Sequence, residues 1–119
     1  MTDRERKLIF IKTQDPDSAA RLERLLGKRE TLQGEGNIYG EKFTGRQFSL
    51  VFDPLIDAAL ERAQVLEILS KDDDTIPGIS SKLGLRKDRI FAHIKELMKK
   101  NLVEITNHEG SDAIFRRKL

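Results

Sequence analysis

Basic side chains cluster in one stretch of this sequence, residues 86–100. The stretch holds six Lys or Arg against two acidic residues, a net charge of +4, whereas the whole 119-residue chain carries only +2. Locally concentrated positive charge is what binds the phosphates of a nucleic-acid backbone. Because the chain is not basic throughout, any such binding must come from this cluster. Its basic members are Arg86, Lys87, Arg89, Lys95, Lys99 and Lys100.

Other chemistries find little support in the residue types. The chain has no cysteine, which excludes disulfides and thiolate metal sites, and its two histidines, His93 and His108, lack a third ligand nearby in sequence. The glycines at 34, 36 and 40 lack the Lys-Ser/Thr pair of a phosphate-binding loop. No nucleophile, base and orienting group occur at a recognisable spacing. We therefore expect neither an enzyme nor a bound metal or cofactor.

The elements that would position the basic cluster are predicted from capping signals. A long helix is expected to begin at Asp53-Pro54 and to end at the acidic run 72–74. Thr75 is expected to cap a short helix that stops at Gly84. A third helix then spans 86–101, with Ile90, Ile94 and Leu97 on its buried face, and two strands around the turn Glu109-Gly110 complete the chain.

The N-terminal part is predicted to be a small strand, helix and hairpin. The apolar run Leu8–Ile11 indicates a buried strand, and Asp15-Pro16 indicates the start of a helix that stops at Gly27. Alternation over 47–52 indicates a strand that a turn at 44–46 would pair with 38–43. The expected fold class is therefore α+β, with a small α/β module at 1–53 and a second domain at 54–119.

One stretch of the second domain resembles a known family. The sequence LGLRKDRIFAHIKELMKKNLVEI is similar to the recognition-helix region of bacterial and archaeal repressors of the arsenical-resistance and multiple-antibiotic-resistance types. The resemblance implies a winged helix-turn-helix, transcription regulation through double-stranded DNA, and a homodimer on a pseudo-palindrome. It also implies that His93 is a helix-packing residue. The residues it places near DNA are Arg86, Lys87, Asp88, Arg89, Ala92, Lys95, Lys99, Arg116 and Arg117.

Four positions depart from the family pattern. Phe91 stands where such repressors have a small or polar residue, and Ala92 stands where they often have Arg. We expect Phe91 to extend the core, with contact to a thymine methyl or to a partner protein as alternatives. The wing tip carries Glu109 and Asp112, which repel phosphate, although His108 and the basic residues 116–118 partly compensate. These departures favour an alternative function, a winged-helix module that binds protein instead of DNA.

The sequence also gives expectations for the partners of the protein and for its cellular location. The apolar residues of module 1–53 need cover, which predicts a role in dimerisation or in effector binding. The N-terminal sequence does not resemble a signal peptide, and no apolar run approaches the length of a membrane span. We therefore expect a cytoplasmic protein without a membrane partner.

Overall fold

The computed structural model describes residues 2–27 and 45–118, and these divide between Leu60 and Glu61 into two compact units. The described part combines helices with one small antiparallel sheet, an α+β composition. Helix α3 contributes residues to both units. The elements in chain order are α1 (Asp3–Gln14), α2 (Pro16–Gly27), α3 (Gly45–Lys71), β1 (Asp74–Thr75), α4 (Ile76–Leu83), α5 (Lys87–Lys99), β2 (Val103–Glu109) and β3 (Asp112–Arg117).

The predicted strand Leu8–Ile11 is wrong, because these residues belong to helix α1. Thr2 caps this helix, and its hydroxyl accepts a hydrogen bond from the Glu5 backbone N–H at 3.1 Å. A Thr followed by Glu three residues later is the capping-box sequence, which favours a helix start at this point. Leu8 and Ile11 are buried while Ile9 is exposed, the spacing of a helix face.

Helix α2 begins where the sequence predicts. It starts at Pro16, and the carboxylate of Asp15 accepts hydrogen bonds from the backbone N–H and the hydroxyl of Ser18. Ala19 and Leu22 supply its buried face. Gly27, the expected stop, is the last residue of the helix.

The predicted strand at 47–52 is also wrong, since it is the start of the 27-residue helix α3. The rings of Phe48 and Phe52 stack one helical turn apart with centroids 5.3 Å from each other, and the Arg4 guanidinium lies over the Phe52 ring at 4.9 Å. Pro54, expected at the start of the helix, lies inside it. The other predicted hairpin strand, 38–43, lies outside the described residues.

The second unit follows the predicted order of elements closely. The end of α3 at Lys71, the Thr75 cap, the end of α4 before Gly84 and the two-stranded hairpin are all confirmed. Gly84 and Asn101 both have a positive φ. The two-residue strand β1 was not expected; it pairs with β3, which gives a three-stranded sheet of order β1-β3-β2. The buried cluster of this unit comprises Val65, Leu66, Leu69, Ile79, Ile90, Ile94, Leu97, Val103 and Phe115.

None of the helices within residues 2–27 and 45–118 is both long enough and apolar enough to cross a membrane.

Candidate nucleic-acid interface

Helix α5 carries most of the expected contact residues, and one of its sides is fixed to the core of the second unit. Ile90, His93, Ile94 and Leu97 are buried, as their three- and four-residue spacing predicts. The rest of the helix surface is exposed, including all six of the expected contact residues between Lys87 and Lys99. The core therefore determines which side chains of α5 face solvent.

Three lysines occupy one part of that exposed surface. With about 100° between successive helical residues, Lys87, Lys95 and Lys99 fall within an arc of about 120°. They span the length of the helix from its first to its last residue. Lys87 makes no hydrogen bond or ion pair with the described residues, and Lys99 lies 3.3 Å from the Glu96 carboxylate in an exposed pair that contributes little free energy. Because these ammonium groups are at most weakly paired, they can bind a phosphate with little loss of existing contacts.

Arg89 is held away from the three lysines by an acidic residue of α3. Its Nε donates to the Glu61 carboxylate at 2.7 Å, and the same oxygen lies 2.8 Å from Nε2 of His93. The Glu61 side chain is only 15% exposed, so this pair is better shielded from water than the other ion pairs of α5. Arg89 lies about 160° around the helix from Lys87, so these two expected base contacts point to different sides.

The first turn of α5 is partly neutralised as well. Arg86 is the N-cap residue, and its guanidinium lies 3.4 Å from the carboxylate of Asp88. Both side chains are largely exposed, so the pair is a weak one. An acidic side chain in the first turn is favourable for the helix dipole, which gives Asp88 a structural role in addition to any contact it makes.

Phe91 does not extend the core, contrary to expectation. It is 49% exposed and lies at the edge of α5 that faces the hairpin, with the ammonium group of Lys95 5.1 Å from its ring centroid. Beside it, Met98 is 40% exposed and Ile105 of β2 is 47% exposed. These three side chains contribute to a groove of about 290 Å³ between α5 and the hairpin. Asp112 and Lys95 are the charged residues of its lining.

The basic residues of the hairpin are largely engaged by an acidic neighbour. Arg116 donates twice to the carboxylate of Glu104 across the β2–β3 pair, at 3.1 and 2.5 Å, and Lys118 lies 3.9 Å from the same group. The hydrogen bond from Arg116 holds the pKa of Glu104 below its ordinary value. Arg117 is half-buried on β3. At the tip, His108, Glu109 and Asp112 are all exposed, so the acidic tip is a feature of the folded surface.

The turn between α4 and α5 is fixed from both sides. Gly84 adopts a left-handed conformation with φ of 68°, and the Ser80 hydroxyl donates to the Leu85 carbonyl. At the start of α4, Asp74 accepts from the Thr75 backbone N–H at 2.8 Å and from Lys82 at 2.7 Å. The bond to Asp74 raises the pKa of Lys82. The Gly84 conformation and the Ser80–Leu85 hydrogen bond stabilise the turn that leads into α5, and the contacts of Asp74 stabilise α4.

Sequence reasoning did not identify the acidic residues that hold the arginines. Glu61 and Glu104 each accept hydrogen bonds from an expected contact residue. Glu61 is 28 residues from Arg89 in sequence, so no local pattern could pair them. Glu104 and Arg116 face each other across the predicted hairpin, and its register would have paired them. Met98 and Ile105 were likewise not singled out.

No group of three metal-ligating side chains comes together in the part of the chain that the structure describes. His93 makes its contact to Glu61 in a buried position, as a helix-packing role implies. In comparisons with known proteins, no family model, curated protein or solved structure matches the chain. The resemblance of residues 75–118 to repressors, which includes the recognition-helix stretch 83–105, therefore remains a prediction.

Proposed function

We propose that the second unit is a winged helix-turn-helix that binds double-stranded DNA, and that the protein regulates transcription as a homodimer. The observation that carries the proposal is the row of Lys87, Lys95 and Lys99 on the exposed side of α5. This helix follows a short helix and a tight turn, which is how a recognition helix is presented to the major groove. The sheet order β1-β3-β2 supports the same fold, with β2 and β3 as the wing.

The roles of the contact residues follow from their partners. Lys87, Lys95 and Lys99 supply phosphate or base contacts, because they are exposed and at most weakly paired. Arg89 and Arg116 contribute only when Glu61 and Glu104 release them. Ala92 lies on the exposed side and offers a methyl group to the groove. DNA binding then depends chiefly on lysines, which act as point charges.

Two copies are needed for useful specificity, since one recognition helix reads a single half-site. The first unit offers a surface for joining them. Leu50, Val51 and Leu55 are large apolar side chains of α3 that remain exposed, and Leu50 is 67% exposed. Val51 and Leu55 lie one helical turn apart, and neighbouring exposed apolar side chains are typical of an interface between proteins. In this proposal α3 provides the dimer contact and the second unit provides the DNA contact.

The test is selection from a pool of mixed-sequence duplexes, followed by affinity measurements over a range of salt concentrations. Each phosphate contact contributes about −0.9 to the slope of log K against log salt. Lys95→Ala should weaken binding to all sequences and flatten the slope by about that amount. Lys71→Ala is the matched control, because it removes the same charge from the end of α3. A folded protein that binds no pool member at about 50 mM salt would contradict the proposal.

A second candidate function is a winged-helix module that docks on a protein. The exposed apolar groove of Phe91, Met98 and Ile105, beside the acidic tip residue Asp112, favours it. Apolar side chains at the centre of an interface surrounded by polar ones are typical of protein–protein contacts. The same selection experiment separates the two candidates, since a docking module retains no duplex from the pool.

A further inference from the structure

The exposed ring of Phe91 lies within the row of lysines. Along α5, Lys87, Phe91 and Lys95 follow each other at intervals of four residues, so each is about 40° around the helix from the next. The ammonium group of Lys95 lies 5.1 Å from the ring centroid, a cation–π contact. A partner that approaches the lysines therefore meets an aromatic surface between them.

The chemistry of the major groove fits this arrangement. Its edges are lined by phosphates, and its floor presents hydrogen-bonding groups together with one apolar group, the C5 methyl of thymine. Side chains along the recognition helix reach this floor while basic side chains contact the backbone. Arg89, the only arginine within α5, is held by Glu61, so the side chain of this helix best suited to a two-point hydrogen bond with a base is engaged. The apolar contact is the contribution that Phe91 can make.

We propose that Phe91 is a specificity-determining residue that contacts a thymine methyl group, with Lys87 and Lys95 holding the flanking phosphates. This inference rests on the proposed DNA-binding function and adds that the protein prefers thymine where Phe91 contacts the base. The half-exposed ring would lose its remaining contact with water on binding, and the methyl would be buried against it. Charge complementarity favours DNA at this position, because Lys87 and Lys95 flank Phe91 along α5, whereas Asp112 of the hairpin is the one acidic residue in the lining of the groove.

The test needs no protein variant in its first step. Each thymine of the selected duplex is replaced in turn by deoxyuridine, which lacks only the methyl group. Removing a methyl that packs on Phe91 should weaken binding by about fourfold, the ratio that corresponds to about 0.8 kcal/mol for one buried CH₂ group. At other thymines the same replacement should have little effect.

The second step uses Phe91→Ala. This variant should bind the thymine and deoxyuridine duplexes equally, because the ring that senses the methyl is gone. Ile9→Ala is the control, since it shortens an exposed apolar side chain of a different helix, α1, and should retain the fourfold difference.

The outcomes separate this inference from the proposed function. If the protein selects a duplex but no deoxyuridine replacement changes its affinity, the thymine contact is wrong while DNA binding stands. If Phe91→Ala retains the thymine preference of the original protein, another residue reads the methyl and the inference is again overturned. If no duplex is selected at all, both proposals fail, and the groove beside Phe91 is better explained by a protein partner.

Discussion

Glu61 is the residue on which the charge of the candidate interface depends most. One of its carboxylate oxygens accepts from both Arg89 and His93, and the side chain is largely shielded from solvent. A carboxylate with two such partners keeps a guanidinium in place more firmly than the exposed pairs of α5 do. The sequence-based charge of +4 for residues 86–100 overstates the positive charge of the interface, because Glu61 of α3 cancels part of it.

Replacing this carboxylate should strengthen DNA binding. In Glu61→Gln, Arg89 loses its ionic partner and can reach a phosphate, so the salt slope should become steeper by about 0.9. Folding stability should fall by about 1–3 kcal/mol, because a hydrogen bond to a buried His93 is weakened. Affinity and slope are measured by titration of one duplex at several salt concentrations.

Glu67→Gln is the matched control, since it removes the same charge from the same helix without touching Arg89. If both variants gain affinity equally, only the net charge matters and Glu61 does not restrain Arg89. If Glu61→Gln binds no better than the original protein, Arg89 takes no part in the interface.

At the scale of elements, the start of α4 depends on one glycine. A Cβ at Gly78 would lie 2.0 Å from Oδ1 and 2.8 Å from Cγ of Asp74. This carboxylate is not free to move, because it accepts from the Thr75 backbone and from Lys82. Helix α4 therefore needs glycine at a position where alanine would ordinarily be the better helix former.

The contact between Gly78 and Asp74 predicts that the effect of Gly78→Ala on stability changes sign when Asp74 is replaced by alanine. Gly78→Ala should destabilise the protein by about 1–3 kcal/mol, the usual range for overpacking. In the Asp74→Ala background the same substitution should be neutral or stabilising by up to about 1 kcal/mol, since the clash is absent. Chemical denaturation of the four proteins measures the coupling. Equal effects of Gly78→Ala in both backgrounds would show that Asp74 is not what excludes a side chain.

The predictability of the elements differs between the two halves of the chain. In the second unit each boundary has a local signal, such as Thr75 before α4 or Gly84 after it, and these signals act over a few residues. In the first unit the residues Phe48 and Phe52 fit an alternating strand and a helix face equally well. Their continuation at four- and three-residue steps to Ile56 and Ala59 favours the helix, and the alternation over six residues is too short to outweigh it.

Only part of the candidate site could be predicted from the sequence. The exposure of Lys87, Lys95 and Lys99 follows from the helical period once the buried face is known, so it was predictable. The contact between Arg89 and Glu61 depends on tertiary structure, and so does the exposure of Phe91. No pattern within α5 distinguishes an aromatic residue on the edge of the core from one that faces a groove.

At the scale of the whole molecule, the charge is divided unevenly between the two units. Residues 1–60 contain ten basic and ten acidic side chains, whereas residues 61–119 contain twelve and ten. The small excess of positive charge therefore belongs to the unit with the candidate DNA interface. The first unit is neutral, and its large exposed apolar side chains suit it to contact another protein chain.

The proposed dimer would form through exposed apolar side chains of α3. Phe48 and Phe52 occupy the buried side of this helix, and Leu50 projects from the opposite side, with Val51 and Leu55 also exposed. Two-fold contact through Leu50, Val51 and Leu55 would bury these side chains in both copies. This burial stabilises a dimer by about 25 cal/mol per Å² of apolar surface. The double variant Leu50→Lys/Leu55→Lys should remain folded, because neither side chain is buried, but should be monomeric at micromolar concentration.

Light scattering measures whether the protein is a monomer or a dimer, and DNA titration measures how the loss of the dimer changes DNA binding. A monomer reads one half-site, so the variant should lose preference for a duplex with two half-sites about 10 base pairs apart while keeping weak, salt-sensitive binding. Ile9→Gln is the control, since Ile9 is an exposed apolar residue of a different helix, α1, and its loss should leave the dimer intact. If the unaltered protein is itself monomeric at micromolar concentration, or if the lysine variant still dimerises, the exposed apolar side chains of α3 have another partner and the second unit acts as a single copy or is paired elsewhere.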